Sequence, residues 1–143
     1  MSVAFILAAK GHDVATTQPH RTMQEAATLL AEKGIGALIV TGGDGEVRGV
    51  FSERDLVRAI GRNGAGVLQD PVSKHMTSKV ATARMDESLE SVMERMTNGR
   101  FRHLPVIENG RLAGVISIGE VVKNRLDGLE SEHRAMREYI TTA

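Results

Sequence analysis

Two stretches of the chain place a carboxylate three residues after a serine, at points where helices are expected to begin. They are Ser52 with Asp55 and Ser117 with Glu120. The first turn of a helix leaves backbone N–H groups unpaired, and the helix dipole favours an anion there. The same spacing also forms a capping box that needs no ligand, although the short side chain of Asp55 is expected to reach back less well than Glu or Gln. The pattern therefore indicates an anion site, a structural cap, or both.

A basic cluster lies in the second half of the chain, at Arg100, Arg102 and His103. The planar guanidinium of Arg102 suits the geometry of a phosphate, and glycines such as Gly36 and Gly49 permit close approach of the backbone to a ligand. These basic side chains could equally be solvated residues that follow a helix. The cluster is a candidate phosphate site.

The overall composition excludes several classes of function. Lysine plus arginine and aspartate plus glutamate number 18 each, so the formal charge of this 143-residue chain is zero. Proteins whose whole surface binds nucleic acid or an anionic membrane carry a marked basic excess, so we expect no DNA surface and no membrane association. Three Phe, one Tyr and no Trp leave little for base-stacking platforms. An anionic ligand must therefore be held by a local group of residues.

The residue counts also argue against catalysis and metal binding. The chain contains no cysteine, which excludes disulfides, thiolate metal sites and cysteine nucleophiles. Its five histidines lack metal-ligand spacing, and no Ser/His/Asp set is apparent. The apolar run Val3–Ala9 is too short to span a bilayer and has no basic segment before it. We expect a cytoplasmic protein that is not an enzyme and holds no metal.

The chain contains an internal repeat. Val14–Thr16 recurs as Val80–Thr82 at an offset of 66, and Gly49–Ser52 corresponds to Gly114–Ser117 at an offset of 65. The lost residue falls in a turn between the two blocks, which is where a duplicated folded unit tolerates a deletion. The pattern indicates duplication of a unit of about 60 residues, a size that is only marginally stable alone. We therefore expect the two copies to pack against each other.

Each copy has the pattern strand, helix, strand, strand, helix. Apolar periodicity, caps and Asp-Gly or Asn-Gly turns define these elements. In the first copy they are Val14–Thr17, a helix after Thr22 capped through Glu25, a hairpin of Ala37–Thr41 and Val47–Phe51, and a helix after Ser52. In the second they are Val80–Ala83, a helix after Ser88, a hairpin of His103–Ile107 and Leu112–Ile116, and a helix after Ser117.

Three further features predict local structure. Gly34 and Gly99 are expected to end the first helix of each copy. Pro105 lacks an N–H and predicts an edge position for its strand. The predicted organisation is a helical segment 1–11, a first unit 12–64, a linker 65–77, a second unit 78–127 and a helical tail 128–143.

The predicted tail carries apolar side chains at alternating steps of four and three, interrupted by one histidine. The stripe consists of Val122, Leu126, Leu129, His133, Met136 and Ile140. It is shorter than three heptads and contains Gly128. It indicates either a helix that packs on its own body or a contact with a partner subunit.

Together these residues resemble a tandem pair of CBS domains, also called a Bateman module. The resemblance rests on Gly49–Asp55, on Gly114–Glu120 and on Arg102–Val106, in the order and duplication typical of the family. It covers about Val14 to Val122, and the whole chain is similar to the small stand-alone bacterial members. The resemblance implies an α/β fold of the α+β kind, with two repeats packed in pseudo-twofold symmetry.

The family resemblance also implies a function. Such pairs commonly bind adenine compounds, namely AMP, ADP, ATP, NAD(H) or S-adenosylmethionine, in the clefts between the repeats. They act as ligand sensors in signal transduction, usually form homodimers and are usually not enzymes. The implied ligand here is AMP or a related adenine nucleotide, and the regulated partner protein is not specified. The alternatives are a structural dimerisation module with vestigial clefts and, third, a nucleotide hydrolase.

The family pattern assigns two clefts, each of which mixes residues from both repeats. The first would use Ser52, Asp55, Thr82, Arg102 and His103. The second would use Thr16, Gly36, Ala37, Ser117 and Glu120. The second has Glu where the family usually has Asp, and it has no basic side chain at the hairpin entry. We therefore predict that the first cleft binds phosphorylated adenine ligands more tightly.

Overall fold

The computed structural model describes residues 1–142 and contains two three-stranded sheets with helices packed on them. The first repeat comprises β1 (Thr16–Thr17), α2 (Met23–Lys33), β2 (Ala37–Thr41), β3 (Val47–Ser52) and α3 (Glu53–Asn63). The second comprises β4 (Ala83–Arg84), α4 (Leu89–Gly99), β5 (His103–Glu108), β6 (Arg111–Ser117) and α5 (Ile118–Thr142). A helix α1 (Val3–Lys10) precedes both, and two short 3-10 helices, Ala65–Gln69 and Val72–Lys74, connect them.

The two sheets have the same topology. The first strand of each copy pairs in parallel with the second, which pairs antiparallel with the third. The second hairpin turns through Asn109 and Gly110, both with positive φ, as a tight Asn-Gly turn requires. The α/β fold class and the repeated unit predicted from the sequence are therefore confirmed.

Each repeat has its own core, and each core also contains residues from a segment outside the repeat. Val3, Ile6 and Leu7 of α1 are buried against the second repeat. The first N–H groups of α1 also donate to carbonyls of that repeat, from Val3 to Glu87 at 2.9 Å and from Ala4 to Met85 at 3.0 Å. These bonds satisfy donors that the start of a helix leaves free. The N-terminal segment is therefore an integral part of the second repeat.

The connection between the repeats packs on the first one. Val67 and Val72 are buried in its core, and Thr77 exchanges two backbone hydrogen bonds of 2.9 Å with Val50 of β3. A Cβ at Gly49 would lie 2.7 Å from the carbonyl oxygen of Thr77, so only glycine allows this approach. The connection thereby holds residues 77–80 beside the start of α3.

Both glycines end their helices at the predicted places, but only Gly34 does so as a left-handed cap. Gly34 takes the left-handed conformation after α2, whereas Gly99 is the last residue of α4 and Arg100 takes the left-handed position, with φ 58°. A Cβ at residue 99 would overlap the ring of Phe101. Glycine is therefore needed here for a close approach and not for its backbone freedom, and Arg100 accepts the strained conformation.

The prediction that Pro105 lies in an edge strand was wrong, because β5 is the central strand of its sheet. In the first repeat Thr16 pairs with Ile39, and Ile39 donates its N–H to the carbonyl of Ala15 at 3.1 Å. Pro105 occupies the position equivalent to Ile39 and has no N–H to donate. The second sheet avoids this problem because β4 starts one residue later, at Ala83.

Candidate functional site

A cleft of about 340 Å³ lies between the two repeats and is lined by residues from both. It combines the end of β3 and the first turn of α3, the connection at 77–80 and the loop that enters β5. Its lining is Gly36, Val50, Ser52, Glu53, Arg54, Asp55, Arg58, Thr77, Lys79, Val80, Gly99, Arg100, Phe101, Arg102 and His103. Small-molecule pockets span roughly 300–1,000 Å³, so this cleft suits a ligand at the small end of that range.

Ser52 and Asp55 form a complete capping box at the start of α3. The amide N–H of Asp55 donates to Ser52 Oγ at 3.3 Å, and Asp55 Oδ2 accepts from the Ser52 N–H at 2.9 Å and from Ser52 Oγ at 3.1 Å. The expectation that aspartate reaches back poorly was wrong, since both halves of the box are present. Within residues 1–142, Oδ1 accepts no hydrogen bond and has only a 3.7 Å ion pair with Arg58. Capping and ligand binding are compatible at this residue.

The cleft is strongly cationic although the whole chain is neutral. Five arginine or lysine side chains line it, against the carboxylates of Glu53 and Asp55. Sequence reasoning identified Arg100 and Arg102 but missed Arg54, Arg58 and Lys79. Arg54 and Arg58 are one helical turn apart in α3, and this spacing was the available signal. Its significance depended on which face of α3 meets the second repeat.

His103 lies at the junction of the two repeats. Burial lowers the pKa of its imidazole, as do the charges of Lys10 and Arg102, while Glu120 and Glu53 oppose this effect. The lowered pKa keeps the ring neutral near pH 7, and it can serve there as a hydrogen-bond donor or acceptor. His103 pairs with Ser117 across the β5–β6 hairpin, so it connects the residues of the two predicted clefts.

The structure brings together four of the five residues predicted for the first cleft. Ser52, Asp55, Arg102 and His103 all line it. Thr82 does not; its side chain is exposed and its carbonyl accepts a hydrogen bond from Arg95. Val80 and Lys79 line the cleft in its place, because the chain turns away before β4 begins.

The residues predicted for the second cleft are arranged differently. Gly36 lines the first cleft instead, where a Cβ on it would lie 3.9 Å from His103 Cε1. Thr16 is exposed at the edge of its sheet, and Ala37 pairs with Ser52 in the β2–β3 hairpin. Ser117 and Glu120 cap α5 reciprocally, at 3.0 and 3.2 Å.

The carboxylate of Glu120 forms an ion pair within the chain. Lys10 Nζ lies 2.8 Å from Glu120 Oε2 and donates to the carbonyl of Val115 at 2.8 Å. Both side chains are 30% exposed. The sequence analysis found no basic partner at this site because Lys10 is separated from Glu120 by 110 residues.

We expect the substitution Lys10→Ala to lower the free energy of unfolding by up to about 1 kcal/mol at pH 7, since the ion pair is partly screened by water. Burial alone would raise the pKa of Glu120, but hydrogen bonds from Lys10 and Ser117 and the charge of Lys10 lower it overall. A carboxylate whose pKa is lower in the folded state than in the unfolded state stabilises the fold at pH values above its unfolded-state pKa. This stabilisation is lost as the pH falls through the folded-state pKa. Urea unfolding should therefore show a difference at pH 7 that shrinks as Glu120 becomes protonated in acid.

Lys33 provides the matched control, because it is exposed, ends α2 as Lys10 ends α1, and makes no ion pair among residues 1–142. The substitution Lys33→Ala should change stability little at either pH. A loss from Lys10→Ala that persists undiminished in acid would contradict an electrostatic role for Lys10.

Comparison with known proteins identifies the fold family. The family model described as CBS domain matches residues 10–62 and 72–127, which is most of the chain in two copies. The chain belongs to the CBS-domain family. It contains two CBS domains in tandem, as the sequence resemblance predicted.

Relatives and solved structures support this assignment. The chain is 50% identical to a CBS-domain protein of Agrobacterium tumefaciens of known structure, with a TM-score of 0.85 over 87% of this chain and 99% of that one. It is 32% identical over 116 residues to a CBS domain-containing protein of Bacillus subtilis, covering 79% of each chain. A CBS-domain pair solved with 5′-methylthioadenosine and S-adenosyl-L-methionine has a TM-score of 0.77 at 24% identity, over 91% of this chain and 98% of that one.

Among residues 1–142, no helix has the length and apolar character needed to cross a membrane. The same residues contain no group of three or more His, Asp or Glu side chains placed to hold a metal ion.

Proposed function

We propose that this CBS protein is a ligand sensor that binds a phosphorylated adenosine, AMP, ADP or ATP, in the cleft between its repeats. The observation that carries the proposal is the clustering of five cationic side chains around the first turn of α3, in a cleft of small-molecule size built from both repeats. A helix start and arginine side chains both favour phosphate. A neutral chain has concentrated positive charge at this one place.

The cleft offers a separate environment for each part of such a ligand. Phosphate oxygens would meet the guanidinium of Arg102 and the positive end of the α3 dipole, since the N–H groups of Glu53 and Asp55 already donate to Gly36 and Ser52. Oδ1 of Asp55, which accepts no hydrogen bond within residues 1–142, can accept from a ribose hydroxyl. Val50, Val80 and Phe101 provide an apolar wall for the adenine ring. The polar and apolar sides of the cleft thus match the two ends of a mononucleotide.

The charge of the cleft separates the candidate ligands. 5′-Methylthioadenosine has no phosphate, and S-adenosyl-L-methionine carries a sulfonium cation, so neither matches the excess of positive charge as a phosphate does. NAD(H) also carries phosphates, so charge does not separate it from the mononucleotides. The arrangement therefore favours AMP, ADP or ATP over the adenosine compounds that lack phosphate.

The position of the cleft suggests how occupancy becomes a signal. Arg102 and His103 belong to the second repeat, whereas Ser52 and Asp55 belong to the first. A ligand that contacts both favours one relative arrangement of the repeats, by no more than its difference in affinity for the available arrangements. A regulated partner protein would respond to this arrangement. The competing candidate is a structural dimerisation module, which the exposed apolar face of α5 favours.

Isothermal titration with ATP, AMP, S-adenosyl-L-methionine and 5′-methylthioadenosine tests the proposal. We expect binding of ATP or AMP, with weaker or no binding of the two ligands that lack phosphate. Because a ligand that binds the native state stabilises it, a hundredfold excess over Kd should add about 2.7 kcal/mol to the free energy of unfolding. Absence of both heat and thermal stabilisation with every adenosine ligand would leave the dimerisation module as the function.

A further inference from the structure

The outer face of α5 carries an apolar stripe that the chain itself leaves uncovered. The stripe side chains are 40% to 68% exposed, whereas Val121 beside them is fully buried in the second core. The exposed apolar members are Val122, Leu126, Leu129, Met136 and Ile140. Of the two readings left open by the sequence, packing on the protein's own body is therefore wrong for these side chains. A continuous face of this kind marks an interaction surface.

The stripe follows the a and d positions of a heptad. Val122, Leu129 and Met136 take the d positions, and Leu126, His133 and Ile140 take the a positions. The helix is continuous from Ile118 to Thr142 and passes through Gly128 without a break. The face therefore has the geometry to pack against a second helix over its whole length.

The charges beside the stripe discriminate between possible pairings. The flanking e positions are Lys123, Glu130 and Arg137, and the g positions include Arg125 and Glu132. In a parallel pair of identical helices, each g position faces the next e position of the partner helix. Arg125 then faces Glu130 of the other copy, and Glu132 faces Arg137, so both contacts join opposite charges.

The antiparallel alternative brings like charges together. When two copies overlap along the full stripe in opposite directions, e positions face e and g positions face g. Lys123 then faces Arg137 of the other copy, Glu130 faces Glu130, and Glu132 faces Glu132. The charge pattern thus disfavours the antiparallel dimer and favours the parallel one.

We propose that α5 of one copy pairs in parallel, in register, with α5 of a second copy to form a short two-stranded coiled coil. His133 occupies a central a position, where a polar side chain helps to fix register and orientation at some cost in stability. Fewer than three heptads take part, so the contact is concentration-dependent. This proposal is independent of the nucleotide site, since neither Glu132 nor Arg137 lines the cleft.

Disulfide trapping tests the orientation, because the chain contains no cysteine of its own. The substitution His133→Cys places a thiol at an a position. This thiol lies opposite residue 133 of the second copy only when the two helices pair in parallel and in register. Ser131→Cys, at the outward f position, is the matched control. Mild oxidation should give a covalent dimer with His133→Cys and little with Ser131→Cys. Equal cross-linking of both, or none at residue 133, overturns the proposal.

Reversal of the charges at positions 132 and 137 tests the predicted contact between g and e positions. Analytical ultracentrifugation of the full chain measures the dimerisation. Neither Glu132 nor Arg137 makes a side-chain ion pair within residues 1–142, so their substitution should leave the fold unchanged by circular dichroism. Arg125 is unsuitable because it contacts Glu90 at 3.2 Å. Glu132→Lys should weaken the dimer roughly fivefold, since two symmetric contacts become repulsive, and adding Arg137→Glu should restore it.

A monomeric wild-type chain, or failure of the double variant to recover, overturns the proposal. In the first case the stripe is the docking site of a different protein. In the second the two copies associate through another surface.

Discussion

The substitution Arg102→Glu should weaken ATP binding about a hundredfold, equivalent to about 2.7 kcal/mol. Arg102 lines the cleft opposite the first turn of α3, where the phosphates are expected. The change removes a charge-assisted hydrogen bond, worth about 1.5–3 kcal/mol, and adds repulsion between the new carboxylate and the phosphates. Isothermal titration at fixed salt measures the loss, which should be much smaller for any adenosine ligand without phosphate.

Arg111→Glu is the matched control, because it reverses an equally exposed charge on the second repeat far from the cleft. It should leave ATP affinity within a factor of about two, since surface charges separated by more than a Debye length are screened. Similar losses from both variants would mean that ATP responds to the net charge of the protein and has no defined site at Arg102.

Replacing each of the two helix-start carboxylates by alanine should affect ATP affinity differently. Asp55→Ala should reduce ATP affinity at least tenfold, because it removes the oxygen available to a ribose hydroxyl. Glu120→Ala should leave affinity unchanged, because Lys10 already neutralises that carboxylate. The comparison tests the prediction that the clefts are unequal, and isothermal titration of both variants with ATP measures it.

Asp55→Ala also affects the fold, which the experiment must separate from binding. Asp55 is 8% exposed and accepts from both the N–H and the hydroxyl of Ser52. Its loss should cost about 0.5–2 kcal/mol of unfolding free energy, because the half-buried N–H of Ser52 loses its acceptor and the capping box is broken. Titration well below the melting temperature of the variant isolates binding. Loss of ATP binding in Glu120→Ala with normal affinity in Asp55→Ala would reverse the assignment of the clefts.

The elements of each repeat were predictable because their signals lie within a few residues of one another. Thr22 caps α2 by accepting from the N–H of Glu25 at 3.1 Å, and Gly34 ends this helix. The errors arose where a local signal had a non-local cause. Gly99 is glycine because of the ring of Phe101, and Pro105 is tolerated in a central strand because the neighbouring β4 begins only at Ala83 and pairs first with Val106.

The candidate site was predictable only in part, for the same reason. Ser52 and Asp55 form a local motif, and Arg102 and His103 were placed with them through the family resemblance. Lys79 lines the same cleft without any local signal, and the helical spacing of Arg54 and Arg58 gained its meaning only from the face of α3 that meets the second repeat. The partner of Glu120 was also missed, since Lys10 comes from a helix at the opposite end of the chain. Contacts of this kind are set by how the elements pack.

The sequence alone determined the duplication, the order of elements in each repeat and the family, because periodicity, caps and turns are encoded locally. Only the tertiary structure decided that α1 completes the second repeat, that Lys10 neutralises Glu120 and that five cations meet in the first cleft. Two nearly equivalent repeats thereby become unequal. The physical reason is that the field in a cleft is the sum of charges brought together from distant segments, and packing, not proximity in sequence, selects them.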